Sequence, residues 1–458
     1  MIDRVRACAR FFASRVLAMA CLYFHLQIPA VQFYMRDAYN SRAIWLCWWR
    51  DLPAEGFGMS ITSLRAVIPL SILTAVGLLA TDLYLPAVSS LPSEIGGTVP
   101  QAQATLAVFL ASLALSQLLW GIAADRFGGK AVLKVAIALQ IVAGIACAVA
   151  PSMSVLIVGR AFQGLGVGAA TVVVPSLIRQ RFSDRDTVRA MSWLGIAESL
   201  IPAVGPIAGT ALLSVTDWRA SFWIVAGIAL VLTPFALRSV PEHQRPEGGE
   251  TSLGYTLLLR NPAYLGYALG HALCFAALLT FVASAPQVVQ VWLRAEPQTF
   301  AILQALGVSA FVVSASQSGR LTASYGIDRL IGAGVVLQVV ATVAMLALAL
   351  IEARSAAALI ATWVLFCGAL GLRGPATMAR ALDVTPDYVG RASGLLMFLA
   401  LGLAAAGTQA VAPFLVGGLL PVSVISVGYT LASAVIILVG RHFRIKSKEH
   451  AALHSLGE

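Results

Sequence analysis

Long apolar runs recur along the chain and are separated by short segments that hold most of its charged residues. A helix of about 20 residues is long enough to cross the ~30 Å hydrocarbon core of a bilayer. The pattern predicts an all-α integral membrane protein with twelve transmembrane helices. The predicted spans are 66–89, 103–124, 131–150, 154–178, 190–213, 220–238, 262–286, 299–320, 327–350, 355–378, 391–412 and 421–440.

The twelve runs fall into two sets of six, separated by a segment rich in proline and glycine, Pro241 to Thr251. The run Gly121–Gly128, at the end of the second span, has a counterpart in Gly319–Gly326, at the end of the eighth. This internal repeat indicates two related halves. The predicted organisation is an N-terminal half at 59–240, a cytoplasmic linker at 241–261, a C-terminal half at 262–440 and a cytoplasmic tail at 441–458.

Residues 1–58 differ from the rest of the chain, because they hold seven Arg and no Lys. Their short apolar run, Leu17 to Leu26, lacks the small-residue cleavage site of a signal peptide. Arg and Trp together suit a membrane interface, so an amphipathic interfacial segment is one interpretation. The other is a mis-assigned upstream start or a dispensable extension, with Met59 as the start of the protein.

Composition and charge limit the class of protein further. The chain is 59% hydrophobic and 11% charged, whereas an ordinary soluble domain has about 25% charged residues. The net charge of +10 does not form one nucleic-acid-binding patch, because the basic residues stand at the span ends. One set of loops carries nearly all of them, and the opposite loops carry only Arg219, Arg294 and Arg354. The positive-inside rule then predicts that both termini are cytoplasmic.

The turn between the second and third spans carries one acid, two bases and several glycines. Glycine allows the chain to reverse and two backbones to approach closely. The residues concerned are Gly121, Asp125, Arg126, Gly128 and Lys130. The run resembles the G-x-x-A-D-R-x-G-(R/G)-K signature of the major facilitator superfamily. The resemblance implies a twelve-helix transporter in which this turn latches the two halves on the cytoplasmic side. The second Arg usual in the family is replaced by Gly129, which predicts a weaker latch.

Asp82 is an acid within the first span, about 21 Å along a helix from its predicted start. A carboxylate in an apolar setting is costly and can exchange a proton near neutral pH. The alternative is a polar residue at the outer end of the helix, wetted by lipid headgroups. The run Thr-Asp-Leu-Tyr-Leu-Pro-Ala resembles the first-span signature of the Bcr/CflA branch (bicyclomycin and chloramphenicol resistance) of twelve-span drug:proton antiporters. The resemblance implies that this acid faces the central cavity and couples transport to protons.

Arg160 lies early in the fourth span, in Arg-Ala-Phe-Gln-Gly-Leu-Gly-Val-Gly. An arginine keeps its proton, so inside a membrane it needs a counter-charge, carbonyl groups or water. The alternative is an arginine that extends to the cytoplasmic surface. The run R-x-x-Q-G-x-G-x-G resembles the family's fourth-span motif, with Gln163 and Gly164 in register. That resemblance implies a role in proton transfer.

The fifth span combines an acid with a regular set of helix-perturbing residues, Pro202, Gly205, Pro206 and Gly209. Prolines remove hydrogen-bond donors and glycines thin the helix surface, so a kink and a close helix crossing are expected. The run resembles the fifth-span signature of proton-driven exporters, which favours export over import. Glu198 precedes the motif and lies either in the cavity, as a further proton site, or at the lipid interface.

Several further residues are candidates for the substrate cavity, since apolar and aromatic walls with a few polar groups suit amphiphilic small molecules. They are Tyr84, Gln117, Trp193, Phe275, Gln287 and Arg373. Arg373, in the tenth span, could hold an anionic substrate or pair with an acid across the cavity. The alternative is an arginine at the cytoplasmic helix end near Asp383.

The sequence holds no G-x-x-x-x-G-K-(S/T) phosphate loop and no metal-ligand spacing, so we expect no cofactor or metal and a proton gradient as the energy source. The predicted function is export of drug-like small molecules by a monomer in a bacterial inner membrane, with protons and the bilayer as its other partners and no nucleic acid. The alternative is a metabolite transporter of the same fold for sugars, nucleosides or organic anions. A non-transporting membrane sensor or an enzyme fits the motifs less well.

Overall fold

The computed structural model describes residues 61–181, 184–240, 253–383 and 389–455. The chain divides into two units, residues 1–64 and 65–458. All described residues except the first four of the first helix belong to the second unit. The proposed extension at 1–58 and most of the linker lie outside the described residues. The long helices are α1 (Ile61–Asp82), α2 (Val99–Phe127), α3 (Gly129–Ala148), α4 (Met153–Arg181), α5 (Asp184–Leu213), α6 (Arg219–Arg238), α7 (Pro262–Gln287), α8 (Pro297–Tyr325), α9 (Ile327–Leu350), α10 (Ala356–Asp383), α11 (Val389–Val411) and α12 (Leu419–Ser455).

These helices confirm the predicted fold class, and no β-strand occurs in the described part of the chain. Eleven of the helices are long and apolar enough to span a membrane. The exception is α5, whose apolar part is the shorter segment Leu200–Leu213. The predicted spans coincide with the helices to within a few residues at most ends, and the span 327–350 coincides with α9 at both ends.

Local sequence explains where several helices begin. Thr98 and Gln101 form a reciprocal capping box at the start of α2, and the Asn261 side chain accepts from two backbone N–H groups at the start of α7. Both arrangements satisfy donors that a helix start leaves without partners. Gly128 and Gly326, which end α2 and α8, have φ of 83° and 84°. The two copies of the internal repeat therefore share a turn with positive φ, a backbone conformation that favours glycine.

The helix bundle has two ends. The basic face is the end where α2 meets α3 and α8 meets α9, and the far face is the opposite end. At the far face three helices continue as irregular segments, a 3₁₀ helix at Leu85–Ser89, a π-helix at Val288–Trp292 and a 3₁₀ helix at Ala412–Gly417. They follow α1, α7 and α11.

The predicted span 66–89 agrees with the apolar segment Ile68–Ser89, but this segment is not one regular helix, because α1 ends at Asp82. Pro86 has no N–H to donate to the carbonyl of Asp82, which favours an end of the regular helix at this turn. The chain proceeds instead as the 3₁₀ helix Leu85–Ser89 and the short helix Leu91–Glu94. Asp82 therefore stands at a helix end within the apolar bundle.

Each half packs its second, third and fourth helices together, α2 and α3 on α4 and α8 and α9 on α10. The two halves meet where α2 packs on α11 and where α5 packs on α8. Among the eleven apolar spans, the one that contains α7 is the most enclosed, with 78% of its most apolar stretch buried. Helix α7 packs on α10, α11 and α12. Its backbone touches that of α12, because a Cβ on Gly440 would lie 2.7 Å from the Cα of Gly266.

We predict that Gly266→Ala lowers the thermal stability of the purified protein. The added methyl group meets the α12 backbone, and overpacking of this kind typically costs about 1–3 kcal/mol. Gly227→Ala is the matched control, because nothing lies within 4 Å of the added Cβ on α6. The measurement is the melting temperature in detergent. Equal melting temperatures for the two variants would contradict the close α7–α12 contact.

Candidate functional site

A buried arginine joins three helices of the N-terminal half. Arg160 of α4 is 0% exposed. Its Nη1 donates to the Ala80 carbonyl at 3.1 Å and to Oε1 of Gln163 at 2.6 Å. Its Nε donates to the Thr105 carbonyl at 3.4 Å. The side chain thus ties α4 to the last turn of α1 and to α2.

Aromatic rings surround the same guanidinium. Its central carbon lies 4.0 Å from the ring centroid of Phe109, 5.1 Å from that of Tyr84 and 5.8 Å from that of Phe222. The Tyr84 hydroxyl is 2.9 Å from Oγ1 of Thr105, which orients that ring. Aromatic faces attract cations, and the attraction strengthens where water is excluded. The rings therefore stabilise the charge that the carbonyl groups only partly neutralise.

The charge of Arg160 is balanced by dipoles rather than by an acid. No carboxylate in the described part of the chain forms an ion pair with it. Ala80 lies in the last turn of α1, and the carbonyl end of a helix carries a partial negative charge. The guanidinium therefore acts as a cationic cap on the broken end of α1.

The alternative interpretation of Arg160, extension to the cytoplasmic surface, is wrong. Helix α4 begins at the far face, so Arg160 lies about 10 Å from that face and about 30 Å from the basic end of the helix. Its side chain is also fully buried. The bonds to Ala80 and Thr105 hold it inside the bundle.

Asp82 is half-buried and packs where α1 crosses α5. A Cβ on Gly205 would lie 2.6 Å from the Cβ of Asp82, and one on Gly209 would overlap the Leu83 carbonyl. The predicted close crossing at the fifth-span motif is therefore present, and its partner is the broken end of α1. Pro202 and Pro206 both lie inside α5, which is helical from Asp184 to Leu213.

Glu198 is half-buried and stands seven residues before Gly205. Seven residues are about two helical turns, so Glu198 lies on the same side of α5 as Gly205, about 10 Å nearer the basic face. Neither Glu198 nor Asp82 has a hydrogen-bond or ion-pair partner within the described residues. The structure thus places two unpartnered carboxylates along one side of α5.

Three of the predicted cavity residues lie in the N-terminal half, and one of them, Tyr84, lies beside Arg160. Gln117 is 8% exposed and donates to Oγ1 of Thr171 at 3.0 Å, which links α2 to α4. Trp193 lies on α5, and its side chain is outside the described part. Gln287 ends α7 toward the far face and is 7% exposed. Their role in substrate binding stays a prediction.

Arg373 is directed into the C-terminal half. It is 0% exposed, and its Nη2 donates to the Gly270 carbonyl at 2.8 Å and to Oγ of Ser433 at 3.2 Å. The side chain thus ties α10 to α7 and α12. His271, next to Gly270, stacks on the half-buried ring of Phe275, with centroids 6.2 Å apart.

The predicted latch lies at the basic face. Gly121 and Lys130 are half-buried, Arg126 is exposed, and the Asp125 side chain is outside the described part. Gly128 supplies the left-handed turn between α2 and α3. Gly129 stands where the family usually has a second Arg. This difference has a local reason, because a Cβ on Gly129 would lie 2.9 Å from a methyl carbon of Val173.

The two halves are sealed at the far face. Oγ of Ser89 donates to Oε1 of Gln290 at 3.0 Å, which joins the segment after α1 to the segment after α7. Within the C-terminal half, Gly418 lies against the Trp292 ring, where a Cβ would overlap the indole. We call these four residues the far-face gate. Beneath them one buried cluster draws on both halves and includes Leu85, Val88, Leu106, Phe281, Val288 and Phe300.

Contact between the halves continues to the middle of the bundle, where Phe109 and Leu113 meet Ala276 and Leu401. Near the basic face, by contrast, the cluster around Tyr264 draws all of its described members from the C-terminal half. The protein is therefore closed at the far face in this structure.

Sequence reasoning missed Thr105, Phe109 and Phe222 around Arg160, and Ser89 and Gln290 at the far face. Their residue types carry no distinct signal within apolar spans. The cation of Arg160 could have indicated that acceptors and rings must surround it, but the helices that supply them cannot be identified from periodicity.

The fold and site define a multi-pass membrane protein of two related six-helix halves, the architecture of secondary transporters. A family model described as Major Facilitator Superfamily matches residues 70–408. The chain therefore belongs to the major facilitator superfamily, as the turn and fourth-span motifs predicted. The family's members are transporters of small molecules rather than enzymes.

Among curated relatives, the chain is 26% identical over 341 residues to the uncharacterized MFS-type transporter YdgK of Bacillus subtilis, covering 72% of this chain and 84% of YdgK. It is 28% identical over 235 residues to the multidrug resistance protein MdtL of Shigella dysenteriae, covering 50% of this chain. That match spans about 60% of the length of MdtL.

Solved structures share the fold. A bacterial homologue of the human lysosomal transporter Spinster, in an inward-facing and unoccupied conformation, aligns with a TM-score of 0.66 at 13% identity, covering 84% of this chain and 98% of that one. The D-xylose-proton symporter aligns with a TM-score of 0.62 at 15% identity, covering 80% of this chain and 97% of its own.

We predict that Arg160→Lys lowers the melting temperature of the protein. Lysine keeps the charge, but its donors all lie on one atom and do not reproduce the fork that reaches the Ala80 carbonyl, the Thr105 carbonyl and Gln163, and a buried polar group without a partner costs about 1–3 kcal/mol. Arg219→Lys is the control, because Arg219 also donates to a carbonyl, Ala150 at 3.2 Å, but is only part-buried. An equal effect of the two substitutions would contradict a special role for the Arg160 contacts.

We also predict that Ser89→Cys with Gln290→Cys can be joined by a short bis-thiosulfonate cross-linker. The native side-chain atoms are 3.0 Å apart, so the link holds the far-face gate closed and stops transport until a reductant is added. The single-cysteine variants are the controls. Unchanged transport by the linked protein would show that the gate does not open during the cycle.

Proposed function

We propose that this chain is a proton-coupled exporter of drug-like small molecules, in the Bcr/CflA branch of twelve-span drug:proton antiporters. The observation that carries the proposal is Asp82, a half-buried carboxylate without a partner in the described chain, at the crossing of α1 and α5. It stands two residues from the carbonyl that binds Arg160. The multidrug name of the partial relative MdtL agrees with export.

Protonation of Asp82 changes the charge at the one place where α1 is broken. The neutral acid fits the tight contact with Gly205, whereas the carboxylate needs water or a cation beside it. In the proposed cycle Asp82 takes a proton from the far face, and the change of charge releases the substrate there. The far face then closes, and the protein switches to the state in which the proton leaves toward the basic face.

Arg160 and Gln163 tune this step without carrying the proton on the guanidinium, because arginine keeps its proton. The fixed positive charge of Arg160 lies at the carbonyl end of α1, two residues from Asp82. Gln163 holds the guanidinium in place through the 2.6 Å hydrogen bond. Glu198, two turns along α5, is proposed as the next proton acceptor toward the basic face.

The conformational exchange is proposed to involve both ends of the bundle. The far-face gate separates when the substrate leaves, while the latch of Gly121, Asp125, Arg126, Gly128 and Lys130 joins the halves at the basic face. The α5 motif moves with the broken end of α1, because Gly205 and Gly209 contact Asp82 and Leu83.

The proposed setting is a bacterial inner membrane with both termini in the cytoplasm, since the basic residues lie on that side. The proposed energy source is the proton gradient, and the proposed working form is a monomer. The alternative of a metabolite transporter would use Arg373 as the substrate ligand. Arg373 bonds to Gly270 and Ser433 of its own half through Nη2, and its Nε and Nη1 have no hydrogen-bond partner among the described residues.

We predict that Asp82→Asn abolishes export. The test compares a bacterium without its own efflux pumps that expresses the chain, the Asp82→Asn variant or an Asp217→Asn control at equal abundance. Asp217 is an exposed far-face acid paired with Arg219 at 3.7 Å, so its loss should not affect coupling. The readout is accumulation of a fluorescent cation and of chloramphenicol, with and without a protonophore.

The proposal is supported if cells that express the chain accumulate little of either compound. Both the protonophore and Asp82→Asn should then raise accumulation to the level of cells without the chain. Export that survives Asp82→Asn but not Glu198→Gln moves the coupling role to Glu198. Unchanged accumulation of a broad compound panel rejects drug export.

A further inference from the structure

A threonine in the last turn of α1 uses its hydroxyl differently from other threonines of the same half. Thr74, Thr171 and Thr210 each donate to a carbonyl of their own helix, which is the usual bond of a helical threonine. Oγ1 of Thr81 instead accepts from Nη2 of Arg160 at 3.4 Å. Its hydroxyl hydrogen has no acceptor among the described residues. Thr81 therefore keeps an unused donor.

The bond from Arg160 makes this hydroxyl a stronger donor. A hydroxyl oxygen that accepts from a charged guanidinium is polarised, and the polarisation strengthens the hydrogen bond that its own hydrogen makes. The guanidinium is fixed in place by the Ala80 and Thr105 carbonyls and by Gln163. The oxygen of Thr81 is therefore held, while its hydrogen is free to turn toward an acceptor.

Thr81 faces the interior of the bundle rather than the lipid. Ala80 and Leu83 belong to the face of α1 that packs on α6. Helix α6 separates this face from the lipid, because residues on its other side are exposed, such as Val231 at 63%. Thr81 and Asp82 lie on either side of the opposite face of α1. Both are half-buried, so this face borders open space inside the bundle.

The open space lies between α4 and α5. Thr81 contacts Arg160 of α4, and Asp82 packs against Gly205 of α5. Adjacent side chains on a helix project about 100° apart, so the hydroxyl and the carboxylate border the same space from two sides. A single small molecule in this space can contact the unused donor and the unpartnered carboxylate together.

We propose that Thr81 is a specificity-determining residue for exported compounds and that it selects those with a carbonyl group close to a cationic group. The cation lies beside Asp82, and the carbonyl oxygen accepts from the Thr81 hydroxyl. A cation without the carbonyl leaves this donor unused and binds more weakly. The inference deepens the proposed export by naming a substrate class, and it rests on that proposal for its place in the cycle.

The test measures binding to the full chain, purified in detergent, by isothermal titration calorimetry. The two probes are benzoylcholine and its benzyl ether analogue, benzyloxyethyl-trimethylammonium. Both are permanent cations of similar size, and they differ only in that a methylene group of the ether replaces the carbonyl group. We expect benzoylcholine to bind roughly five- to tenfold more tightly, as one hydrogen bond allows.

Substitutions at Thr81 separate the hydroxyl from the shape of the side chain. Thr81→Val keeps the shape and removes the donor, so it should lower the affinity for benzoylcholine to that for the ether and leave the ether unaffected. Thr81→Ser keeps the hydroxyl and should restore most of the preference. Thr210→Val is the matched control, because Thr210 is also half-buried but donates to the Pro206 carbonyl at 2.8 Å. This control should bind both probes as the unchanged chain does.

Equal affinities of the unchanged chain for the two probes would overturn the proposal, as would a preference that survives Thr81→Val. If Thr81→Val weakens both probes to the same degree, Thr81 acts only by holding Arg160, and the proposal is wrong. Absence of binding by either probe would reject this substrate class.

The binding result is separable from the export result, because binding in detergent needs no proton gradient. Export that is confirmed in cells while the two probes bind equally overturns only the role of Thr81. A carbonyl preference that depends on Thr81, in a chain that does not lower drug accumulation, leaves the binding site in place and rejects the export.

Discussion

A guanidinium inside an apolar helix bundle must be surrounded by acceptors or polarisable rings, because it cannot lose its proton. Arg160 obtains these from three helices, through the Ala80 and Thr105 carbonyls and the rings of Tyr84, Phe109 and Phe222. Ala80 lies in the last turn of α1, whose carbonyl end carries a partial negative charge. The helix end, Asp82 and the crossing of α1 with α5 all lie within about one turn of this contact.

The C-terminal half also buries an arginine on its fourth helix, at a different depth, but Nε and Nη1 of this arginine have no hydrogen-bond partner among the described residues. Arg373, also on the fourth helix of its half, binds the carbonyl of Gly270 on the first helix of that half. Arg160 lies in the part of α4 nearer the far face, and Arg373 lies in the part of α10 nearer the basic face. In each half a buried arginine fastens the first helix to the fourth. The halves are thus related in sequence but differ in the depth at which each buries its arginine.

Much of the fold follows from hydropathy, as α9 shows by matching its predicted bounds. Pro86 lacks the donor that the next helical turn uses, but Pro202 and Pro206 lie inside α5, so proline alone does not locate the helix end at Asp82. The surroundings of Arg160 could not, because Thr105 and Phe222 are ordinary residues of apolar spans whose contacts depend on how distant helices pack. The far-face contact between Ser89 and Gln290 joins residues 201 apart in sequence, and no local pattern indicates such a pairing.

The prolines of α5 have a consequence for water. Pro202 cannot donate to the carbonyl of Glu198, and Pro206 cannot donate to the carbonyl of Pro202, so both oxygens lack their helical partner. They lie on the side of α5 that leads from Glu198 to Gly205 and Asp82. Carbonyl oxygens without donors can accept hydrogen bonds from water. The motif that permits a close helix crossing thus also leaves two acceptors on the side of α5 between the two carboxylates.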